Sequence, residues 1–425
     1  RKAQMEVKED PKIETESSEE KFSFLQETIK KEPVSKKKLF KKILLLVLGG
    51  ILFGAAACLG FYALKPWATS WFQGRVHRIS IPEDAENTED GQENHEPVGD
   101  VAESAADYET TLRNLYQVAV EAERSVVTIR ETETDLEFLT EDGQEESVSG
   151  VIIADNGREI LVLGSNRLCR GQESWTVQFV DGKVYKASLK KQDKTKGLAV
   201  FAVDRSKMDS ETWENMKIAS LGNSNIQGRG SAVFALGNMF GYPGGVSCGM
   251  ISSVKQEMYL ADGSYEILAT DIPAEKGGTG ILFNIDGEVI GLMVPEIWPD
   301  NGGNLVNACA ISAMKPSIER LSNGESVPYV GIRGVMADGK DAEAQGIAKG
   351  LYVQKVEADS PAMMAGIQSG DVLTVVDGIK LTELKVYQKL LQECEAGESI
   401  KIKGCRKGND GYVDIEYNVT IGSNE

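Results

Sequence analysis

From Ser125 to Val294 the chain alternates between short β-branched runs and turn residues: SVVTIR, SGVIIA, EILVLG, WTVQFV, VYKASL, LAVFAV, SAVFALG, EILATD, ILFNI and EVIGLMV. The Asp-Gly pairs in VDGK and IDGE are hairpin signals between such runs. No helix-period stretch intervenes, so the pattern predicts an all-β barrel or sandwich, and strand count alone leaves those two open. A helical segment, LRNLYQVAVEAE, precedes the strands, with Leu112, Leu115, Val118 and Ala119 on one face.

The 425 residues suffice for two to three domains. A net charge of −19 disfavours nucleic acid as a partner, because a phosphate backbone repels an acidic surface. Only 2 histidines occur, His77 and His95, and both precede the strand region, so chemistry that needs an imidazole base inside a domain is in doubt. Cys58, Cys169, Cys248, Cys309, Cys394 and Cys405 form no CxxC pair and have no histidine partner, which implies neither a metal site nor a disulfide framework. GNSNIQGRG has spaced glycines but lacks the GK[ST] ending of a phosphate loop, and no cofactor is expected.

Residues 43–64, ILLLVLGGILFGAAACLGFYAL, carry no charge over 22 positions. As a helix this run is about 33 Å long, enough for a hydrocarbon layer of roughly 30 Å. Lysines crowd its N-terminal flank in KKKLFKK, while Trp67 and Trp71 follow it, so the positive-inside bias places the N-terminus in the cytoplasm. The expected order is a disordered cytoplasmic tail at 1–42, one transmembrane helix at 43–64, and an acidic juxtamembrane linker at 65–111. A cleavable signal peptide, with Ala55 to Ala57 as its small residues, is the alternative to a retained anchor.

The wording of the strand region adds what periodicity lacks. SGVIIADNGREIL, KGLAVFAVD, ASLGNSNIQGRGSAVFALGNMFG and TDIPAEKGGTGILFNIDGEVIGL follow one another in an order that resembles the protease domain of the HtrA (DegP-like) serine proteases. The resemblance implies a trypsin-like double β-barrel over residues 112–322. It also locates three catalytic positions. Where the family has the histidine of LTNNHV, LVLGSN has Ser165; where D-x-x-T-D-L-A-V supplies the orienting aspartate, DKTKGLAV has Gly197. Where GNSGGPL supplies the serine, KGGTGIL has Gly278, or Thr279 if one residue is skipped. A hydroxyl nucleophile needs a base and a group that orients the base, and neither partner stands at its position.

Three other nucleophile arrangements can be read from the residues. Thr279 could pair with Lys276 or another lysine, given burial that lowers the amine pKa. GVSCG, from Gly245 to Gly249, matches the G-x-S-x-G elbow as text, but that motif requires a strand-to-helix turn. Cys248 could attack as a thiolate if a positive environment held it.

From Val327 onward, VPYVGIRGV, SPAMMAGIQSGDVLTVVDG and LTELKVYQKLLQEC resemble the PDZ domain that follows HtrA protease domains, over residues 327–421. The resemblance makes Tyr329, Val330, Gly331 and Ile332 the carboxylate-binding loop, and Leu384, Tyr387, Gln388 and Leu391 candidates for the side-chain pocket on the facing helix. Homotrimers are typical of such relatives. The expected whole is an anchored extracytoplasmic pseudoprotease that binds peptide C-termini or unfolded envelope proteins in a scaffold, adaptor or quality-control role. Its rivals are an active endopeptidase of non-standard arrangement and a structural envelope protein whose groove is occluded.

Overall fold

The computed structural model describes residues 45, 77–84, 105–132, 146–171, 174–295, 297, 304–337, 346–409 and 411–425. Two compact units divide the chain, Arg1–Phe72 and Gln73–Glu425, and the first contributes only Leu45 to the described residues. The expected tail, the transmembrane run at 43–64 and much of the linker therefore lie outside them. Among the described residues no helix is long and apolar enough to cross a membrane.

In the second unit a helix, α1 (Ala105–Glu123), leads into two closed six-stranded barrels. The first contains β1 (Val126–Glu131), β2 (Ser147–Asp155), β3 (Glu159–Ser165), β4 (Trp175–Gln178), β5 (Val184–Asp193) and β6 (Leu198–Asp204), in the order β1-β2-β3-β6-β5-β4. The second contains β7 (Ala232–Gly237), β8 (Gly245–Leu260), β9 (Gly263–Pro273), β10 (Gly280–Asn284), β11 (Val289–Met293) and β12 (Leu305–Ala310), in the order β10-β11-β12-β9-β8-β7. Closure removes the free sheet edges that a sandwich would have to protect. A short helix, α2 (Ser210–Asn215), lies between the barrels in sequence, and α3 (Lys315–Ser322) follows the second.

Period-2 alternation explains why β2, β3 and β6 read as unbroken apolar runs. Val148, Ile152, Ile160, Val162, Ala199 and Phe201 fill the first barrel. Their sequence neighbours Val151, Leu161, Leu163, Leu198 and Val200 face the other way and pack with Phe234, Leu236, Ile281 and Phe283 of the second barrel. The rings of Phe234 and Phe283 stack there at 5.2 Å. A strand of this kind is buried on both faces.

Two sequence expectations shift. The helix expected from residue 112 begins at Ala105, inside the stretch assigned to the linker, and Leu112 is exposed; Ala119 and Ala122 make the buried contact, flanked by Leu115 and Val118. Part of that linker is also no spacer. Residues 77–84 lie along α3: Ile79 N–H donates to Asn323 Oδ1 at 3.0 Å, Asn323 Nδ2 returns a bond to Ile79 O at 2.9 Å, and Ile81 N–H donates to Glu319 Oε2 at 2.8 Å. Asp84 ends this strap in a 2.8 Å ion pair with the buried Lys315 and accepts from Ser312 Oγ.

The C-terminal domain is α+β. Its sheet runs β14 (Ile332–Ala337), β15 (Gly350–Val356), β16 (Val372–Val376), β18 (Ser399–Gly408), β19 (Gly411–Thr420), with β17 (Ile379–Lys380) paired to β16. A two-stranded ladder joins β13 (Pro328–Tyr329) to β20 (Gly422–Ser423), and the helices are α4 (Pro361–Met364) and α5 (Leu384–Glu393). Its core gathers Val330, Leu351, Val353, Leu373, Tyr387 and Ile402. β14 ends the strand order, so one of its edges carries backbone groups that no strand of this sheet uses.

Candidate functional site

Of the three positions that resemblance marks as catalytic, Ser165 and Gly197 lie together on the first barrel and Gly278 lies on the second. Ser165 ends β3, is buried, and caps the next turn by accepting from Arg167 N–H at 3.1 Å. It pairs in register with Leu198, and Asn166 N–H donates to Gly197 O at 2.9 Å, so Ser165 and Gly197 are brought together. The place an orienting carboxylate would need is filled: a Cβ on Gly197 would fall 2.5 Å from Val294 Cγ1 and 3.3 Å from Ile297 Cγ2. Arg167, which pairs with Glu146 at 3.5 Å, lies beside the Gly277 turn.

Gly278 is held against the second barrel by its N–H bond to Glu275 O at 3.0 Å, and a Cβ there would lie 2.5 Å from Met239 O. This backbone conformation has no room for a serine side chain. Thr279 is buried, and its hydroxyl is committed: Oγ1 accepts from Ser149 N–H at 2.9 Å, while Ser149 Oγ donates to Thr279 O at 3.0 Å and accepts from Asn238 N–H at 2.7 Å. Thr279 thus ties the two barrels together.

No alternative nucleophile gains support from its surroundings. Lys276 is exposed. Lys196 is buried, but burial, which would push its pKa down, is outweighed by Asp193 and Tyr265; its Nζ donates to Asp193 Oδ2 at 2.7 Å and the ammonium is held above the ordinary lysine value. GVSCG lies within strand β8, with Ser247 paired to Ala235, so no strand-to-helix turn follows it and the match to the elbow is one of text alone. Cys248 is exposed on that strand, whereas burial pushes the thiols of Cys169 and Cys309 up to about 12. His77 is exposed and donates its backbone N–H to Asn156 O at 2.8 Å; His95 lies outside the described residues.

The second candidate site is the loop before β14. Gly331 has φ +89, and a Cβ there would lie 2.3 Å from Ser360 Cβ, so only glycine permits this turn. The turn aims successive backbone N–H groups at one point. Val330 and Gly331 N–H each donate to Asp262 Oδ2 at 2.8 Å, and Ile332 N–H donates to Asp262 Oδ1 at 3.1 Å. A carboxylate is what the resemblance assigned to this cradle, and here it belongs to the chain's own second barrel. Asp262 sits in the two-residue turn between β8 and β9, with φ 63. Its own N–H donates to Ile332 O at 2.7 Å, at the free edge of β14.

The expected pocket residues divide. Tyr387 and Leu391 are buried in the domain core, and the Tyr387 hydroxyl donates to Asp262 Oδ1 at 2.8 Å. Gln388 is half-buried and its Nε2 donates to Ser264 O at 3.1 Å, while Leu384 is half-buried against the core. Tyr329 borders, with Gln388 and Leu391, an interdomain cavity of about 30 Å³, room for about one water. Burial pushes the Asp262 carboxyl above its ordinary value, against the opposing pull of the Gly331, Ile332 and Val330 N–H groups and the Tyr387 hydroxyl. Burial, reinforced by that carboxylate, holds the Tyr387 phenol well above the ordinary tyrosine value.

Asp262, the carboxylate that fills the cradle, is the contact that sequence reasoning missed. The signal available was another Asp-Gly pair, in LADGSYEIL, which says hairpin and nothing about a partner. Among the described residues no cluster of His, Cys, Asp and Glu suited to a metal ion occurs.

Comparison with known proteins covers both folded regions. Residues 148–292 match the trypsin-like peptidase domain model and residues 328–417 match the PDZ domain model. A probable periplasmic serine protease do/HhoA-like from Haemophilus influenzae is 28% identical over 276 residues, covering 63% of this chain and 57% of that one. Serine protease Do-like HtrB of Bacillus subtilis is 27% identical over 279 residues, covering 61% of this chain and 59% of that one. The chain thus spans a little over half the length of these curated relatives. In fold it is similar to the HtrA-type protease AlgW solved with a decapeptide, with TM-score 0.52 at 20% identity over 73% of this chain and 99% of that one. Two closed barrels followed by an α+β domain agree with both matches: the chain joins a trypsin-like peptidase domain to a PDZ domain and is similar in sequence to Do-like, HtrA-type serine proteases.

Proposed function

We propose that the chain is a membrane-anchored, extracytoplasmic pseudoprotease that binds the C-termini of peptides or unfolded envelope proteins through its PDZ domain. The observation that carries this reading is the convergence of the Val330, Gly331 and Ile332 N–H groups on a carboxylate at 2.8–3.1 Å. Such a cradle recognises a terminal carboxylate by backbone alone, and the edge of β14 offers strand addition to the residues before it. Loss of cleavage is supported by Ser165, Gly197 and Gly278 at the triad positions and by the committed hydroxyl of Thr279. Removing a triad costs about 10⁶-fold in rate, or about 8 kcal/mol of transition-state stabilisation.

The competing reading is an active serine-type endopeptidase of non-standard arrangement, which the serine proteases among its relatives favour. Incubating the purified protein with casein and a fluorophosphonate probe separates the two. We expect neither turnover nor labelling; cleavage abolished by Thr279→Val would establish the endopeptidase. For binding, an array of free-carboxylate peptides beside their C-terminal amides should show preference for the free acids, and equal retention of both would exclude the cradle as the reader. Anchoring by residues 43–64 predicts that alkaline carbonate leaves the protein in the membrane fraction.

A further inference from the structure

We propose that Asp262 is the PDZ domain's built-in occupant: the barrel turn that carries it sits in the carboxylate cradle as a surrogate C-terminus, so an incoming peptide must displace the turn to bind. The competitive part of this inference rests on the peptide-binding reading above.

Four polar contacts reproduce what a bound C-terminus needs. Oδ2 takes the N–H groups of Val330 and Gly331, and Oδ1 takes that of Ile332 together with the Tyr387 hydroxyl. The Asp262 N–H donates to Ile332 O, the bond with which a peptide would begin to add to β14. The chain then continues through Gly263 to Ser264, whose carbonyl accepts from Gln388 Nε2 at 3.1 Å, so the turn also covers the helix side of the groove. Asp262 is 8% exposed, which makes this a closed contact and not a surface touch.

Occupancy is exclusive. The cradle's donors are already used, and a second carboxylate would stand within a few ångströms of the first, away from water, where like charges repel strongly. The apparent affinity for a peptide is therefore its intrinsic affinity reduced by the fraction of molecules whose turn is out of the cradle. Because the turn belongs to the barrel, every bound peptide also frees the PDZ domain from this contact.

Asp262→Gly tests the proposal in the full chain. Glycine accepts φ 63 without strain, so the hairpin is kept and only the carboxylate is lost; Asp262→Asn, similar in shape and uncharged, serves as the second variant. Hydrogen exchange at Val330, Gly331 and Ile332 should accelerate at least about 10-fold in Asp262→Gly while the β18–β19 amides stay protected, and a pooled library of free-carboxylate heptapeptides should be captured about 10-fold more tightly than by the parent protein. Unchanged exchange at these three amides overturns the latch whatever the peptides do, and so does equal capture by both proteins. Faster exchange without capture by either protein leaves the contact standing and overturns the peptide-binding reading together with the competition.

Discussion

The phenolic hydroxyl of Tyr387, on a helix of the PDZ domain, donates at 2.8 Å to Oδ1 of Asp262, on a turn of the second barrel. A hydrogen bond to a charged group contributes about 1.5–3 kcal/mol, so Tyr387→Phe is expected to lower stability by that order in urea unfolding. In the Asp262→Gly background the same change should cost little, and this double-mutant cycle isolates the contact. An equal loss in both backgrounds would assign the role of Tyr387 to core packing alone.

Gly278→Ser restores the family's nucleophile in name only. Its Cβ would fall 2.5 Å from Met239 O, with backbone on both sides of the contact. Overpacking of this kind costs about 1–3 kcal/mol. We expect a lower melting temperature and no casein turnover; a gain in turnover would mean that the turn relaxes into a working site.

Asp371 is expected to contribute acid sensitivity to the PDZ domain. Burial alone would raise this carboxyl, but Arg406 Nε at 2.6 Å, the Tyr417 hydroxyl at 2.7 Å and the Gln368 N–H at 2.8 Å outweigh it and hold it below the ordinary carboxylate range. Since the folded value lies below the unfolded one, the stability it confers is complete above about pH 4 and is lost as pH falls through the folded value. Asp371→Asn is expected to cost about 2–3 kcal/mol at neutral pH and to flatten the acid limb of the stability profile; an unchanged acid limb would place that sensitivity elsewhere.

The strap ends in a buried pair, Lys315 at 4% and Asp84 at 14% side-chain exposure. Asp84→Ala leaves an ammonium without its carboxylate and should cost about 3–5 kcal/mol by chemical unfolding. Replacing Lys315 by Met in that background should recover much of the loss, since the uncompensated charge is then gone. Failure to recover would mean that the strap itself, and not the charge, carries the energy.

Local pattern carried much of this architecture and none of its closure. The apolar runs of β2, β3 and β6 are legible because both faces of each strand are buried, whereas β8 hides: GVSCGMISSVKQEMYL mixes polar residues throughout, pairing with β7 in unbroken register and with β9 through register shifts. β12, LVNACA, is short and interrupted by Asn307. Whether twelve strands close into barrels depends on pairings far apart in sequence, which periodicity does not encode. The start of α1 was invisible because AADYETT has no apolar repeat. Ser165, Gly197 and Gly278 could be located by resemblance, but the clash at Gly278 and the apolar filling at Gly197 are properties of packing. Asp262 was out of reach for the same reason: its cradle begins 68 residues further on.

Helix α3 is eight residues long and carries two fastenings at once. On one side it holds the strap through Glu319 and Lys315; on another, Arg320 donates to Gln392 O and Cys394 O, where helix α5 ends. A pull on the chain at His77 would load its bond to Asn156 O of the first barrel and then α3, and the same helix braces the PDZ domain. Tension on the strap and the seating of the C-terminal domain thus meet in one short helix.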